Sequence, residues 1–307
     1  MEENQESQAP PRVSVVIVSH NAADALRRSL VALEATRGRE AIEIIVVDSG
    51  SADDCSRMDE EFPAIHMLRL PRNFGLVKAL NIGMRTAKGE FFLFLEPGME
   101  VAPDTVPSLV ARLEAEPDAV AVCPLIADAA GQTLSRIHPL PLPDELYRAW
   151  RDRDFQGWSV PPADGQVLEV DYLKPPVLMA RSYFLKGLRY IDERYGQYGW
   201  DLELCTQIRR AAKKILFLTA IRVTANVEER RLALSPGARG LLAADQALGG
   251  AVWTGKHYGW IHGLKFRLAA MLRALGRLLG MRDLGCQFAQ VSALLSGQKI
   301  DGSQRAL

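Results

Sequence analysis

Three short polar clusters stand where apolar runs end: Ser19-His20-Asn21, Asp48-Ser49-Gly50-Ser51-Ala52-Asp53 and Glu96-Pro97-Gly98-Met99-Glu100. A carboxylate at the end of a buried strand can accept hydrogen bonds from a nucleobase N–H or a ribose hydroxyl, or it can ligate a cation. Asp48 suits the first task, and the 96–100 turn sets two carboxylates, Glu96 and Glu100, close together. Ser51 and Asp53 have a simpler use as caps for the helix that follows. Asn73 and Gly75, just before another helical stretch, make a turn able to face an anion. Neither a Gly-x-Gly-x-x-Gly fingerprint nor a P-loop is present, so dinucleotide-dehydrogenase and P-loop chemistry fall away.

The elements that must carry these clusters are legible as periodicity. Residues 13–18, 43–47, 65–70, 91–95 and 119–123 are short runs rich in Val, Ile, Leu and Phe, the pattern of strands covered on both faces. Between them, 22–36, 53–62, 76–87 and 103–116 have helical spacing, the last with Pro103 in its first turn. Strand alternating with helix at this pitch predicts an α/β fold with a mainly parallel sheet flanked by helices. The carboxyl ends of parallel strands share one sheet edge, so the three clusters converge there. After Leu125 the pattern loosens. Prolines at 139, 141, 143, 161, 162, 175 and 176 mark a region expected to be irregular. Single strands are expected over 167–173 and 177–180, a helical run within 195–210, and short strands at 215–218 and 221–224.

Composition narrows the classes. The 307 residues carry 37 Lys plus Arg against 37 Asp plus Glu, with 48% apolar and 24% charged residues. That is an ordinary globular balance with no charge excess toward nucleic acid. The four cysteines are widely spaced, without a Cys-x-x-Cys pair, which implies neither a structural zinc site nor a disulfide framework and fits a cytoplasmic setting. Residues 1–11 read as a disordered polar leader rather than a signal peptide. Residues 246–282 contain no acidic residue and six Lys or Arg. Within them, 264–279 sets Leu268, Leu272, Leu275 and Leu279 on one helical face. Such a helix either packs those leucines on the main body or lies on an anionic membrane surface.

Val-Ser-Val-Val-Ile-Val-Ser-His-Asn at 13–21, Ile-Ile-Val-Val-Asp-Ser-Gly-Ser-Ala-Asp at 44–53, Asn-Phe-Gly-Leu-Val-Lys-Ala-Leu-Asn-Ile-Gly at 73–83, Lys-Gly-Glu-Phe-Phe-Leu-Phe-Leu at 88–95 and Tyr-Gly-Trp-Asp-Leu-Glu-Leu-Cys at 198–205 together resemble the family 2 glycosyltransferases. These are nucleotide-sugar-dependent enzymes with the GT-A fold, and the arrangement is most similar to their rhamnosyltransferase-like branch. The resemblance implies that Asp48 holds the nucleotide base, with Ser19 and Asn21 beside it. Asn73, Gly75, Lys78 and Glu96 would complete the nucleotide-sugar site. It also implies that Asp201 is the general base of an inverting displacement onto a glycan or lipid-linked acceptor, and that Mg2+ or Mn2+ supports the leaving diphosphate. The implied organisation is a GT-A domain over 12–230, with a nucleotide half 12–125 and an acceptor half 126–230, then a helical extension over 231–307. A peripheral position on the inner membrane face follows from the 264–279 helix.

Several positions depart from the family pattern. Gly98 stands where the second carboxylate of the metal motif is expected, leaving Glu96 and Glu100 as metal candidates and Lys78 or Arg72 as cations for the diphosphate. Trp200 precedes the base, Glu203 replaces an aspartate, Ala225-Asn226 stand where a histidine is usual, and Pro175-Pro176 replace a small pair. Two readings follow: an active, metal-independent transferase, or a degenerate one that binds nucleotide, glycan or partner without turnover. A nucleotidylyltransferase would need a glycine-rich basic loop after the first strand, and residues 19–25 do not supply it.

Overall fold

The computed structural model describes residues 10–36, 38–152, 158–159, 165–173, 176–226, 235–281 and 283–297. Residues 1–9 of the expected leader, and Pro161, Pro162 and Pro175, lie outside these. In chain order the elements are β1 (Val13–Ser19), α1 (Ala23–Glu34), β2 (Ile42–Asp48), α2 (Met58–Glu61, after a short 3-10 turn), β3 (Ile65–Arg69), α3 (Leu76–Thr86), β4 (Phe91–Leu95), β5 (Met99–Val101), α4 (Thr105–Ala115) and β6 (Ala119–Asp128). There follow β7 (Arg136–His138), α5 (Pro143–Asp152), β8 (Trp158–Ser159), β9 (Val167–Glu169), β10 (Tyr172–Leu173), β11 (Val177–Arg181), α6 (Ser182–Gly187), α7 (Trp200–Arg210), β12 (Lys214–Ala225), α8 (Pro236–Tyr258), α9 (Trp260–Leu279) and α10 (Leu284–Ser296).

The main sheet runs β3-β2-β1-β4-β11-β6-β12-β5, with β9 beside β12. Its first four strands are parallel, as the alternation of strands and helices predicts. Beyond β4 the sheet is mixed, because β11 enters antiparallel between β4 and β6. One face packs on α1 and α4 through Leu26, Leu30, Leu33, Leu109 and Leu113 against Val15, Ile17 and Leu93. The other face, with Val16, Phe92 and Phe94, shares one core with α3, α7 and α8 through Leu80, Trp200, Leu204, Leu248 and Trp253.

Three expectations change over residues 126–230. Residues 167–173 form two strands in two sheets, β9 on β12 and β10 in a small antiparallel sheet β10-β7-β8. Residues 215–218 and 221–224 join as one strand, β12, with a register shift between Leu218 and Arg222. The proline-marked region contains α5, which Pro143 opens and whose Glu145 carboxylate accepts from Leu142 N at 2.8 Å. Proline in a first turn starts a helix rather than breaking it.

Helix α9 packs by a face of small residues, Gly263, Ala270 and Ala274, together with Phe266, all buried. Its leucines therefore point away from the body. Leu272 is 69% exposed and Leu279 85%, in line with exposed Ile261, Leu264 and Leu268. No described helix is long and apolar enough to cross a membrane.

Candidate functional site

The clusters that end β1 and β2 meet the 73–75 turn as one hydrogen-bonded edge. Asp48, 3% exposed at the end of β2, accepts from Ser51 N at 3.1 Å. Ser19 carbonyl accepts from Ser49 N at 2.8 Å, tying β1 to the loop after β2. Asn21, at φ 50, accepts from Ala52 N at 2.8 Å, and its own amide donates to Ser51 Oγ at 3.0 Å. The Ser49 hydroxyl donates to Asn73 Oδ1 at 3.2 Å and accepts from Phe74 N, and Asn73 Oδ1 also accepts from Gly75 N at 2.8 Å. Ser19, Asn21, Asp48, Asn73 and Gly75 are thus brought together. The Ser19 side chain itself turns inward, its Oγ 3.2 Å from the buried Cys55 Sγ. Burial pushes the Cys55 thiol up to about 11, so it is a packing group rather than a nucleophile. Asp53 caps two helix starts, accepting from Ala23 N at 2.9 Å and Cys55 N at 3.1 Å. Beside this edge, the Arg72 guanidinium and Lys78 ammonium both lie over the Phe74 ring, at 5.2 and 5.9 Å from its centre.

The end of β4 is built differently from a cation site. Glu96 holds its place through its backbone, with N donating to Pro176 O at 2.9 Å. Gly98 sits at φ 86, where a side chain is strained, and its N–H is shared between Ala25 O and Ser29 Oγ, both at 3.0 Å. Glu100 lies on β5 with a carboxylate oxygen 3.7 Å from Arg28 Nε. Among the described residues no three His, Cys, Asp or Glu side chains group to hold a metal. One carboxylate beside a glycine, with the next engaged by an arginine, does not fit the all-oxygen shell that Mg2+ or Mn2+ requires.

Asp201 lies outside this cluster, in the first turn of α7 after Gly199. It is 5% exposed, and its Oδ2 accepts from the Tyr172 hydroxyl at 3.1 Å. Burial, and then the Asp201 charge, raise the Tyr172 pKa, so that hydroxyl stays a donor. The pair opens on a cavity of about 310 Å3 walled by Arg136, His138, Trp150, Tyr198 and Phe266. Trp200 packs edge-on against Phe94 at 6.4 Å, which fastens the start of α7 under the C-terminal half of β4.

Two acids to which the sequence assigned no positioning role, Glu203 and Asp245, hold this turn. Glu203, 4% exposed, takes hydrogen bonds from Tyr195 Oη, Gln207, Lys256 Nζ and His257 Nε2 at 2.6 to 2.9 Å. Burial alone would raise its pKa; Gln207, Lys256, His257 and Tyr195 outweigh that and hold it down at about 2. Asp245, buried on α8, accepts from Gln197 N at 2.7 Å and Tyr198 N at 3.1 Å, fixing the loop that leads into Asp201. A Cβ on Gly196 would come within 2.0 Å of the Asp245 carboxylate, so only glycine admits that contact. The one sequence signal is the Gly196-x-x-Gly199 spacing; Lys256 and His257 lie 53 and 54 residues beyond Glu203, and Asp245 lies 48 and 47 residues beyond the amides of Gln197 and Tyr198, which no local pattern shows.

The mixed α/β sheet flanked by helices is a GT-A fold. Residues 14–161 match the family described as Glycosyl transferase family 2. The uncharacterized glycosyltransferase YfnE of Bacillus subtilis is 33% identical over 117 residues, covering 37% of this chain and 30% of the relative. An undecaprenyl-phosphate 4-deoxy-4-formamido-L-arabinose transferase of Klebsiella pneumoniae is 33% identical over 121 residues, covering 36% and 37%. The chain thus spans about a third of the length of these relatives. Staphylococcus aureus TarS 1–349, solved with UDP-GlcNAc, superposes with TM-score 0.53 at 17% identity over 94% of this chain and 92% of that one. GalNAc-T7 with UDP, GalNAc and Mn2+ gives 0.56 at 20% over 71% and 44%. Over residues 14–161 the chain is similar to the family 2 glycosyltransferases, and its fold is that of the GT-A neighbours.

Proposed function

We propose that the chain transfers a sugar from a nucleoside diphosphate donor to a hydroxyl of a glycan or lipid-linked acceptor, with inversion. The observation that carries this is the Asp201–Tyr172 pair, a buried carboxylate held by a permanent donor at the mouth of an aromatic cavity. Asp201 takes the proton as the acceptor oxygen attacks the anomeric carbon, and the bond to the diphosphate breaks with its electron pair on the leaving oxygen. Asp48 holds the base, and Ser19, Asn21, Asn73 and Gly75 shape that edge. Glu96 borders the sugar. Lys78 and Arg72, both on Phe74, are the cations available to the leaving diphosphate. Structural neighbours carry UDP-GlcNAc or UDP with Mn2+, but the donor set of Glu96 and Glu100 favours transfer without a resident metal.

The exposed leucine face of α9, within a stretch over 246–282 that carries six Lys or Arg including Lys265 and no acidic residue, supports docking on an anionic membrane surface. A lipid-linked acceptor agrees with the undecaprenyl-phosphate in the name of the Klebsiella relative. Gly98 favours a second reading, a degenerate transferase that binds without turnover. Calorimetric titration of UDP, dTDP and GDP, each with and without manganese, tests the donor side. Metal-indifferent binding of one nucleotide, lost in Asp48→Ala, is expected. Binding that needs manganese would overturn the metal-free reading, and no binding of any would leave a scaffold.

A further inference from the structure

Two further cavities continue from the Asp201 cavity among the C-terminal helices. The first, of about 310 Å3, shares Trp150, Tyr198 and Gln246 with it. The next, of about 350 Å3, shares Ala243, Arg277 and Gln290 with the one before. The three spaces therefore adjoin in order, from Asp201 on α7 to Asp283 just before α10.

Their walls change in character along the way. Around Asp201 they are aromatic, with Trp150, Tyr172, Tyr198 and Phe266. Farther out they carry amides, Gln246 of α8 and then Gln287 and Gln290 of α10. Gln287 and Gln290 are each 5% exposed. Among the described residues no hydrogen bond engages the side-chain amides of Gln246 and Gln290, and the buried Gln287 Oε1 has no partner. A buried amide left unpaired is costly. Three of them on adjoining cavities point to a ligand that supplies both donors and acceptors. Hydroxyl groups do so, since each can donate and accept. A pyranose carries hydroxyls around its rim and C–H groups on its faces, so it suits amides at one wall and flat aromatic rings at another. A polyprenyl chain in the same space would leave the amides unpaired. Carboxylates at both ends, Asp201 and Asp283, disfavour a polyanion.

We propose that the three cavities form one channel for an oligosaccharide acceptor. Its terminal sugar lies in the aromatic cavity beside Asp201, and the preceding sugars lie against Gln246, Gln290 and Gln287. Which end of the chain faces Asp201 rests on the transferase reading above. The glycan site itself does not, since it can be measured without a donor or turnover.

The test is an array of bacterial surface-polysaccharide fragments, from monosaccharides to hexasaccharides, probed with the full chain. Calorimetric titration then follows with the best-bound fragment and its shorter members. Affinity is expected to grow through the trisaccharide, as successive cavities fill, and then to level off. Gln290→Leu replaces the amide by an apolar side chain of similar size. It should weaken trisaccharide binding about fivefold or more, the loss of one good hydrogen bond. Monosaccharide binding should stay within a few-fold, because Gln290 does not line the Asp201 cavity. The thermal midpoint of Gln290→Leu should be unchanged or raised, since no internal hydrogen bond is broken. A lowered midpoint would make the amide a structural group and overturn the channel. So would an array with no bound fragment, affinity that stops growing at the monosaccharide, or equal trisaccharide binding in Gln290→Leu. Farnesyl phosphate in detergent that binds where no fragment does would assign the cavities to a lipid, and the proposal would fall. Failure of the transferase reading would appear separately, as absent nucleotide binding with oligosaccharide binding intact.

Discussion

Replacing Glu203 by glutamine keeps the shape of α7's first turn and removes one negative charge. In the native chain that carboxylate faces Lys256 Nζ at 2.7 Å and His257 Nε2 at 2.7 Å, with Tyr195 and Gln207 also donating. Its pKa is held at about 2 against an ordinary 4.5. At about 1.4 kcal/mol per unit, that depression corresponds to about 3 kcal/mol of stability. Removing one partner of a buried pair costs a similar amount, roughly 3 to 5 kcal/mol. The lower figure is favoured here, because Lys256 keeps Asp192 at 3.0 Å as a second partner. The sign follows from the direction of the shift. A depressed carboxyl stabilises in full above the unfolded value of 4.5 and loses its contribution as pH falls through about 2. Urea unfolding followed by circular dichroism should therefore separate native chain and Glu203→Gln by about 3 kcal/mol at pH 7, and by clearly less at pH 3. Equal midpoints at pH 7, or a gap that does not narrow in acid, would refute the reasoning.

Two further outcomes are expected. Gly98→Asp places a side chain at φ 86 and should lower stability by roughly 1 to 2 kcal/mol in thermal unfolding, because the left-handed backbone there is set by the Gly98 N–H bonds to Ala25 and Ser29; an unchanged melting point would contradict that account. Flotation with anionic liposomes should recover the native chain and leave L268Q/L272Q at the bottom of the gradient, since both leucines are exposed and their loss should not disturb packing. Equal recovery of the two would remove α9 from membrane docking.

The first half of the site was legible because its signals are local. Apolar runs ending in Asn21, Asp48 and Glu96 specify strands and their edge, and the parallel order brings those ends together without any long-range information. The acceptor side depends on contacts the sequence does not display. Tyr172 meets Asp201 across 29 residues and Asp245 meets Gln197 across 48. Pro143 read as a breaker when it opens α5, and β11 enters antiparallel because the chain reaches the β4 edge from the irregular region rather than through a crossover helix. The leucine stripe of α9 was visible as a period, but not its orientation. That is settled by Gly263, Ala270 and Ala274, whose small side chains let the opposite face pack closely.

The most direct measurement is nucleoside diphosphate release from the donor sugar nucleotide by native chain and Asp201→Asn, with nucleotide affinity determined in parallel. The account predicts that Asp201→Asn loses transfer by a factor of at least about 100, the usual contribution of a positioned base, while affinity for the nucleotide stays within a few-fold because the base-binding edge at Asp48 is untouched. Full turnover in the variant would contradict it.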